Sequence, residues 1–323
     1  MNLIKAIKNY GMVYCIDAFL VKTRIKKELS FKSKLTIQKY LKSLPNDLYP
    51  KMLQERFKNI TGLTLNLDNP QSFNEKIQWL KLFDSTSLKT LYADKYQVRK
   101  VIGEKIGEKY LIPIIGGAWQ NAKNIDFSEL PQQFVLKCNH GSGMNIIVKD
   151  KSKIDKEKII RQLNRWLKID YAFFWQFCDL ELHYSSIPPV IYAEKYIQEI
   201  DGNLHDYKIH CFNGKPIYIE VISDRDYTSH QALESWYDTN WQKQQFTDGV
   251  YPNNPQDIKR PRCLDEMLTI SNILSSEFKY ARIDLYEVNG QVLFGEITFT
   301  PGSGTYKWNP QEANQILGQH III

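Results

Sequence analysis

The chain has 323 residues, 43% hydrophobic and 24% charged, enough for a sizeable core in one large domain or two to three lobes, and too balanced for long disorder. A formal net charge of +6 is a modest excess that suits acidic substrates, phosphates or anionic lipid surfaces without singling one out; nucleic acid is not expected as a partner. Five cysteines, an odd number with no Cys-x-x-Cys pair, fit a reduced compartment.

No apolar run approaches the length of a membrane span: the best, residues 12–21, is short and contains Asp17. No small-residue cleavage site follows an apolar stretch, so a cytoplasmic protein is expected. Residues 1–45 interleave Lys and Arg with Ile, Leu, Val, Phe and Tyr. They predict one or two basic amphipathic helices, either resting peripherally on the inner membrane surface or packed with a solvated basic face.

Ser72-Phe-Asn-Glu75 is a capping box that opens a helix carrying Ile77, Leu80 and Phe83 towards a core. A second helix is expected over 87–106, through Ala93-Asp94-Lys95-Tyr96. Residues 110–115 predict an extended segment ended by Gly116-Gly117. Phe134-Val-Leu-Lys137 predicts a strand, then Cys-Asn-His-Gly-Ser-Gly-Met and another strand over 145–149. This is not a Walker A loop, because no Gly-Lys-Ser/Thr is present and no helix follows. Such a flap can lay its backbone amides over phosphates while Lys137 neutralises their charge, or it can be an ordinary hairpin turn.

A helix over 155–168 is marked by Ile159, Ile160, Leu163 and Leu167. The aromatic segment 170–189 either covers a substrate site or connects lobes. Residues 190–197 predict a buried strand that continues, through 206–212 and 216–223, as a three-stranded meander. Asp224-Arg225-Asp226 follows, a pattern that could hold the metal of a nucleotide-sugar transferase or simply populate a loop. Segments 236–241 and 246–255 look loop-like, and 264–278 predicts an amphipathic helix.

The last strong signal is a hairpin over 280–308, with two alternating runs around Asn289-Gly290. Arg282 and Asp284 share one strand face, Glu296 and Thr298 another. A two-residue loop alone would pair Asp284 with Gly295. A three-residue loop, or one bulged residue, instead sets Asp284 opposite Glu296, and a bulge is therefore expected. Two carboxylates, a hydroxyl and a guanidinium would then crowd one face, where magnesium with phosphate ligands would relieve the repulsion. The alternative is an exposed sheet face with ordinary alternating charges.

Taken in order, Ser72-Phe-Asn-Glu-Lys-Ile-Gln-Trp-Leu-Lys, Ala93-Asp-Lys-Tyr, Leu136-Lys-Cys-Asn-His-Gly-Ser-Gly, Asp206-Tyr-Lys and Phe294-Gly-Glu-Ile-Thr-Phe-Thr-Pro-Gly-Ser-Gly resemble the TupA-like ATP-grasp proteins of bacterial polysaccharide gene clusters. The resemblance spans residues 45–318. It implies an α+β ATP-grasp fold, with ATP held between antiparallel sheets of two lobes and a helical N-terminal extension. The implied division is an extension over 1–45, an N-terminal lobe over 46–130, a flap lobe over 131–195 and a C-terminal lobe over 196–323.

By the same resemblance, Lys95 and Lys137 match phosphate-contacting lysines, and His140, Gly141, Ser142 and Gly143 lie in the nucleotide flap. Glu194, Tyr196 and Ile197 match the hinge that meets adenine, with Glu199 or Asp201 towards ribose. Asp284 and Glu296 match magnesium ligands, with Thr298 where Asn is usual. Arg282 and Lys208 are the candidates for contacting the reacting phosphoryl group or substrate carboxylate. The implied activity is an ATP- and Mg2+-dependent carboxylate–amine ligase joining an amino acid or other amine to a uronic acid of a surface polysaccharide or its precursor. The competing readings are a glycosyltransferase using Asp224-Arg225-Asp226, an ATP-grasp sugar kinase and a non-catalytic nucleotide-binding module.

Overall fold

The computed structural model describes residues 30–174, 179–197, 205–226 and 231–323. The expectations for residues 1–29, and for Glu199 and Asp201, lie outside the described residues. In chain order the elements are α1 (Phe31–Lys42), α2 (Tyr49–Thr61), α3 (Phe73–Phe83), α4 (Ser87–Ala93), α5 (Val98–Lys105), β1 (Ile114–Trp119), β2 (Phe134–Cys138), β3 (Asn145–Val148), α6 (Lys156–Trp166), β4 (Ile191–Lys195), β5 (Asp206–Phe212), β6 (Lys215–Asp226), β7 (Gln231–Asp238), β8 (Lys243–Gln244), α7 (Leu264–Ser275), β9 (Tyr280–Val288), β10 (Gln291–Thr298) and α8 (Glu312–Gln319).

Among the described residues the strands make two sheets, a four-stranded one ordered β1-β4-β2-β3 and a six-stranded one ordered β10-β9-β5-β6-β7-β8. Every neighbouring pair is antiparallel. The meander expected from 190–223 is therefore split: β4 pairs with β1 and β2, whereas β5 begins the other sheet. Strand alternation fixes which face a residue occupies but says nothing about which strand lies beside it. β1 comes from the segment 46–130 and joins the sheet of the flap lobe. It also runs through Gly116-Gly117, where a Cβ on Gly117 would meet Tyr192 Cβ at 2.6 Å, so the glycines are close-approach residues within the strand and not its end.

Apolar burial assigns helices to sheets. In the six-stranded sheet Ile209, Ile219, Val221 and Ile283 turn to one face and pack on Leu264, Met267, Ile270 and Leu274 of α7. In the four-stranded sheet Phe134, Leu136, Ile191 and Ala193 pack on Ile159 and Leu163 of α6, with Phe31 and Leu35 of α1 at the margin. The described part of the 1–45 extension is thus a packed helix, with Leu41 buried. Each fully buried side chain of this size contributes about 1.5–3 kcal/mol. Among the described residues no helix is long and apolar enough to cross a membrane.

α3 starts at the expected capping box, with Ser72 Oγ accepting from Glu75 N and Glu75 reaching back to Ser72 N. Segment 236–241, expected as loop, is instead the end of β7 and a turn. β7 buries Glu234 and Ser235, and those polar residues hid the strand from its sequence pattern.

Candidate active site

The hairpin β9–β10 turns through Asn289 and Gly290, both with positive φ, as a two-residue loop requires. The ladder pairs Phe294 with Leu285, then shifts at Gly295 so that Glu296 faces Asp284 and Thr298 faces Arg282. The expected bulge is present. Gly295 suits the bulge, because a Cβ would stand a tight 3.0 Å from Asp284 O and 3.1 Å from the Tyr286 ring.

Register carries the row further. Glu296, Asp284, Lys208 and Glu220 stand opposite one another across β10, β9, β5 and β6, and Thr298, Arg282, His210 and Tyr218 form the next row. Arg282 donates to both Asp284 oxygens at 2.7 Å and to Thr298 Oγ1 at 3.3 Å, and its Nη2 lies 3.8 Å from Glu296 Oε1. Lys208 Nζ is 3.4 Å from Glu220 Oε1, and His210 Nε2 is 3.2 Å from Glu220 Oε2. His210 Nδ1 meets the Tyr280 hydroxyl at 2.8 Å.

These contacts set the charge states. Burial, helped by neighbouring Glu296, raises Asp284 to about 6 against the pull of Arg282. Burial also works against Glu296, but Lys95, paired with it directly, and Arg282 hold its carboxyl low. Glu220 is likewise held well below the usual range, against burial, by Lys208 and His210. His210 is pushed down to about 4 by burial and stays neutral.

The four-stranded sheet contributes a smaller constellation. Lys137 pairs with Glu194, whose other oxygen accepts from Arg99 at 2.9 Å. Arg99 reaches this sheet from α5, and the Tyr96 ring packs 5.6 Å from that of Tyr192. The helix expected over 87–106 is therefore two helices, broken at Asp94–Gln97. Asp94 Oδ1 accepts from Tyr96 N, Gln97 N and Asn139 Nδ2 at 2.8–3.1 Å, and Lys95 N donates to Asn139 O at 3.1 Å. Side-chain acceptance of backbone donors is what stops a helix and starts another. The break releases Lys95 to the Glu296 carboxylate, so this short segment joins the two sheets.

Asn139, buried, also accepts from Val190 N at 2.8 Å and donates to Pro188 O at 3.0 Å. It roots the flap 141–144 between β2 and β3. His140 does not face the site. It is 2% exposed, Nε2 lies 3.1 Å from Trp166 O, and burial lowers its pKa, so the candidate nucleotide contact is a packed residue beneath the flap. Glu194 is next to last in β4, opposite Ile114 and Val135, with its side chain paired with Lys137 and Arg99, which leaves its backbone as the part that could serve a hinge. Of the expected hinge, only Tyr196 and Ile197 lie past the strand end.

Downstream of Thr298, Gly302, Ser303 and Gly304 take three successive positive φ values of 53°, 52° and 63°. α3 holds this turn. Gln78 Nε2 donates to Ser303 O and Gly304 O, and the buried Lys81 donates to Ser303 O and Oγ at 2.7 Å. The only sequence signal for this was polar residues on a capped helix that should have been apolar.

Arg225 of the Asp224-Arg225-Asp226 triplet pairs with Asp206 at 2.8 Å. Among the described residues no three His, Cys, Asp or Glu side chains gather to hold a metal on their own. Asp284 and Glu296 offer two hard oxygen donors beside the Thr298 hydroxyl, a set that suits a magnesium ion completing its shell from phosphate and water.

The family model described as TupA-like ATPgrasp matches residues 75–322, more than half of the chain and including every charged group above. The chain belongs to the TupA-like ATP-grasp family. Its architecture is the α+β ATP-grasp fold, two antiparallel sheets with helices outside. Solved structures similar to this ATP-grasp chain include D-alanine–D-alanine ligase from Bacillus anthracis, at 19% identity and a TM-score of 0.40, over 71% of this chain and 61% of that one. The D-alanine–D-alanine ligase from Helicobacter pylori matches at 18% and 0.41, over 78% and 70%. D-cycloserine synthetase DcsG matches at 11% and 0.39, over 76% and 74%. This ATP-grasp chain spans less than two thirds of the first of these proteins. No functionally curated protein matches it.

Proposed function

We propose that this TupA-like ATP-grasp chain is an ATP-dependent carboxylate–amine ligase that joins an amino acid, or another amine, to a uronic acid of a surface polysaccharide or its precursor. The observation that carries the proposal is the joining of two cation–carboxylate sets by one segment: Lys95 leaves the α4–α5 break, beside the Lys137 sheet, and meets Glu296 of the six-stranded sheet.

Asp284 and Glu296, with Thr298, would hold a magnesium ion, which would supply neutralisation of phosphate charge. Lys95 and Lys137 supply cations for the remaining phosphate charge. Arg282, fixed by its bidentate bond to Asp284, stabilises charge on the transferring group. A substrate carboxylate oxygen attacks the terminal phosphorus of ATP and ADP leaves. The amine nitrogen then attacks the carbonyl carbon of the acyl phosphate, phosphate leaves, and a proton is lost from nitrogen. Lys208, one strand from Asp284, is suited to hold the substrate carboxylate. Phosphoryl transfer depends on positioning and charge neutralisation more than on a nucleophilic side chain. The acyl phosphate must be kept from water, the task of the flap. The supply of ATP fits the cytoplasmic location expected from sequence.

The test is ADP release with a panel of uronic-acid glycosides and amino acids, with products followed by mass spectrometry. The proposal expects ADP only when carboxylate and amine are both present, and a product heavier by the amine less water. Phosphate retained on a neutral sugar would make the chain a sugar kinase. Release of nucleoside diphosphate from a sugar nucleotide without ATP would make it a transferase.

A further inference from the structure

We infer that Tyr171 is a positioning residue for the nucleotide: its ring is the seat on which the glycine flap rests, and Gly141 is a glycine so that the backbone can reach that seat. The inference rests on the ATP-site reading above. Tyr171 opens the aromatic segment 170–189, whose sequence left open whether it covers a site or joins lobes. Its ring packs against the core of each sheet.

A Cβ on Gly141 would stand 2.6 Å from Tyr171 Cδ2, 3.2 Å from Cε2 and 3.1 Å from Met144 Cε. The first separation is shorter than real Cβ atoms show. The ring has little room to retreat, because the Tyr184 ring lies edge-on at 5.0 Å and Met144, at the other root of the flap, is itself buried. The hydroxyl of the adjoining flap residue, Ser142, lies near the Tyr171 phenol. The same phenol is close enough to Glu181, Asp179 and Glu296 to feel their charge. One ring therefore touches the flap backbone and borders the carboxylate face, fixing the height of the flap over any phosphate held there. A flap without this seat would lie higher, bind phosphate oxygens more weakly and admit water.

The full chain is tested for binding of magnesium with the β,γ-imido analogue of ATP by calorimetry, alongside hydrogen exchange at residues 141–144 and thermal melting. Gly141→Ala is expected to weaken binding by about tenfold or more. Combining it with Tyr171→Ala should return affinity to within about threefold of Tyr171→Ala alone, because coupled neighbours are non-additive. Gly141→Ala with Tyr171→Phe, which keeps the ring, should show no rescue. Tyr171→Phe alone should melt near the parent and exchange faster at 142–144 in the analogue complex. Unchanged binding by Gly141→Ala, or an Ala double variant that binds well beyond threefold more weakly than Tyr171→Ala alone, overturns the seat. Should Tyr171→Ala fail to fold, unchanged exchange in Tyr171→Phe does the same. A parent protein that binds no analogue overturns the ATP-site reading and the seat together, whereas analogue binding with failed rescue overturns the seat alone.

Discussion

The two sheets treat charge differently. The four-stranded sheet places one lysine, Lys137, against one carboxylate, Glu194, and steadies the pair from outside with Arg99. The six-stranded sheet instead runs charged residues in register across four strands, so Asp284 and Lys208 each stand between oppositely or likewise charged neighbours of the row. Its other face is an apolar core packed on α7. The first arrangement can release its lysine without disturbing the sheet. The second fixes a geometry, the rigidity that the proposed metal site would need.

The largest effect should come from breaking the six-stranded side. Asp284→Asn or Glu296→Gln should lower turnover by about a hundredfold or more, the scale of losing one preorganised charge-stabilising group. Melting should stay closer to the parent for the more exposed Glu296→Gln and fall for Asp284→Asn, whose amide leaves one Arg282 donor without an acceptor. Lys137→Ala acts on the four-stranded side, where Glu194 still has Arg99. The expected result is an ATP KM raised about tenfold with a smaller change in kcat, a loss of roughly 1.4 kcal/mol of binding. Asn139→Ala attacks the junction between the sheets. It leaves Asp94 and Val190 N short of partners, costing about 1–3 kcal/mol by denaturant titration.

The contrast also has a pH dependence. Asp248 covers the six-stranded sheet beside Glu234, and burial, then Glu220 and Glu234, raise its pKa to about 9. The unfolded chain loses this proton near pH 4, so Asp248 makes folding weaker as pH rises from about 4 to 9. His210 works the other way: at about 4 when folded and ~6.5 when unfolded, it weakens folding as pH falls through that interval. Asp248→Asn keeps a donor for Glu234 and removes the first effect, so its melting advantage should grow from pH 5 to pH 8. Changes in the Lys137 sheet should not alter that slope. The smallest effect is expected for Asp224→Asn, which should leave ligase activity within about twofold, as for most surface substitutions.

How much of this was legible depended on how local each cause is. The capping box at Ser72 and Glu75, the Asn289-Gly290 turn and the bulge before Glu296 were visible because each is decided within a few residues. The break at Asp94 was not, because the partner that completes it, Asn139, is 45 residues away. β4 read correctly as a buried strand but was given the wrong neighbours, since alternation records a face and not a partner. His140 lay inside a recognisable motif, yet only packing against Trp166 O decides that it points away. Tyr171 carried no signal, for its role depends on a glycine 30 residues earlier and on two cores meeting.

The claim that joins the two sheets is that Asp284 and Glu296 receive the metal of a nucleotide held between them. Calorimetry of the ATP analogue, with and without magnesium, tests it on the parent, Asp284→Asn and Glu296→Gln. Magnesium should strengthen binding to the parent and do little for either variant. An equal magnesium effect in all three proteins, all folded, would contradict it.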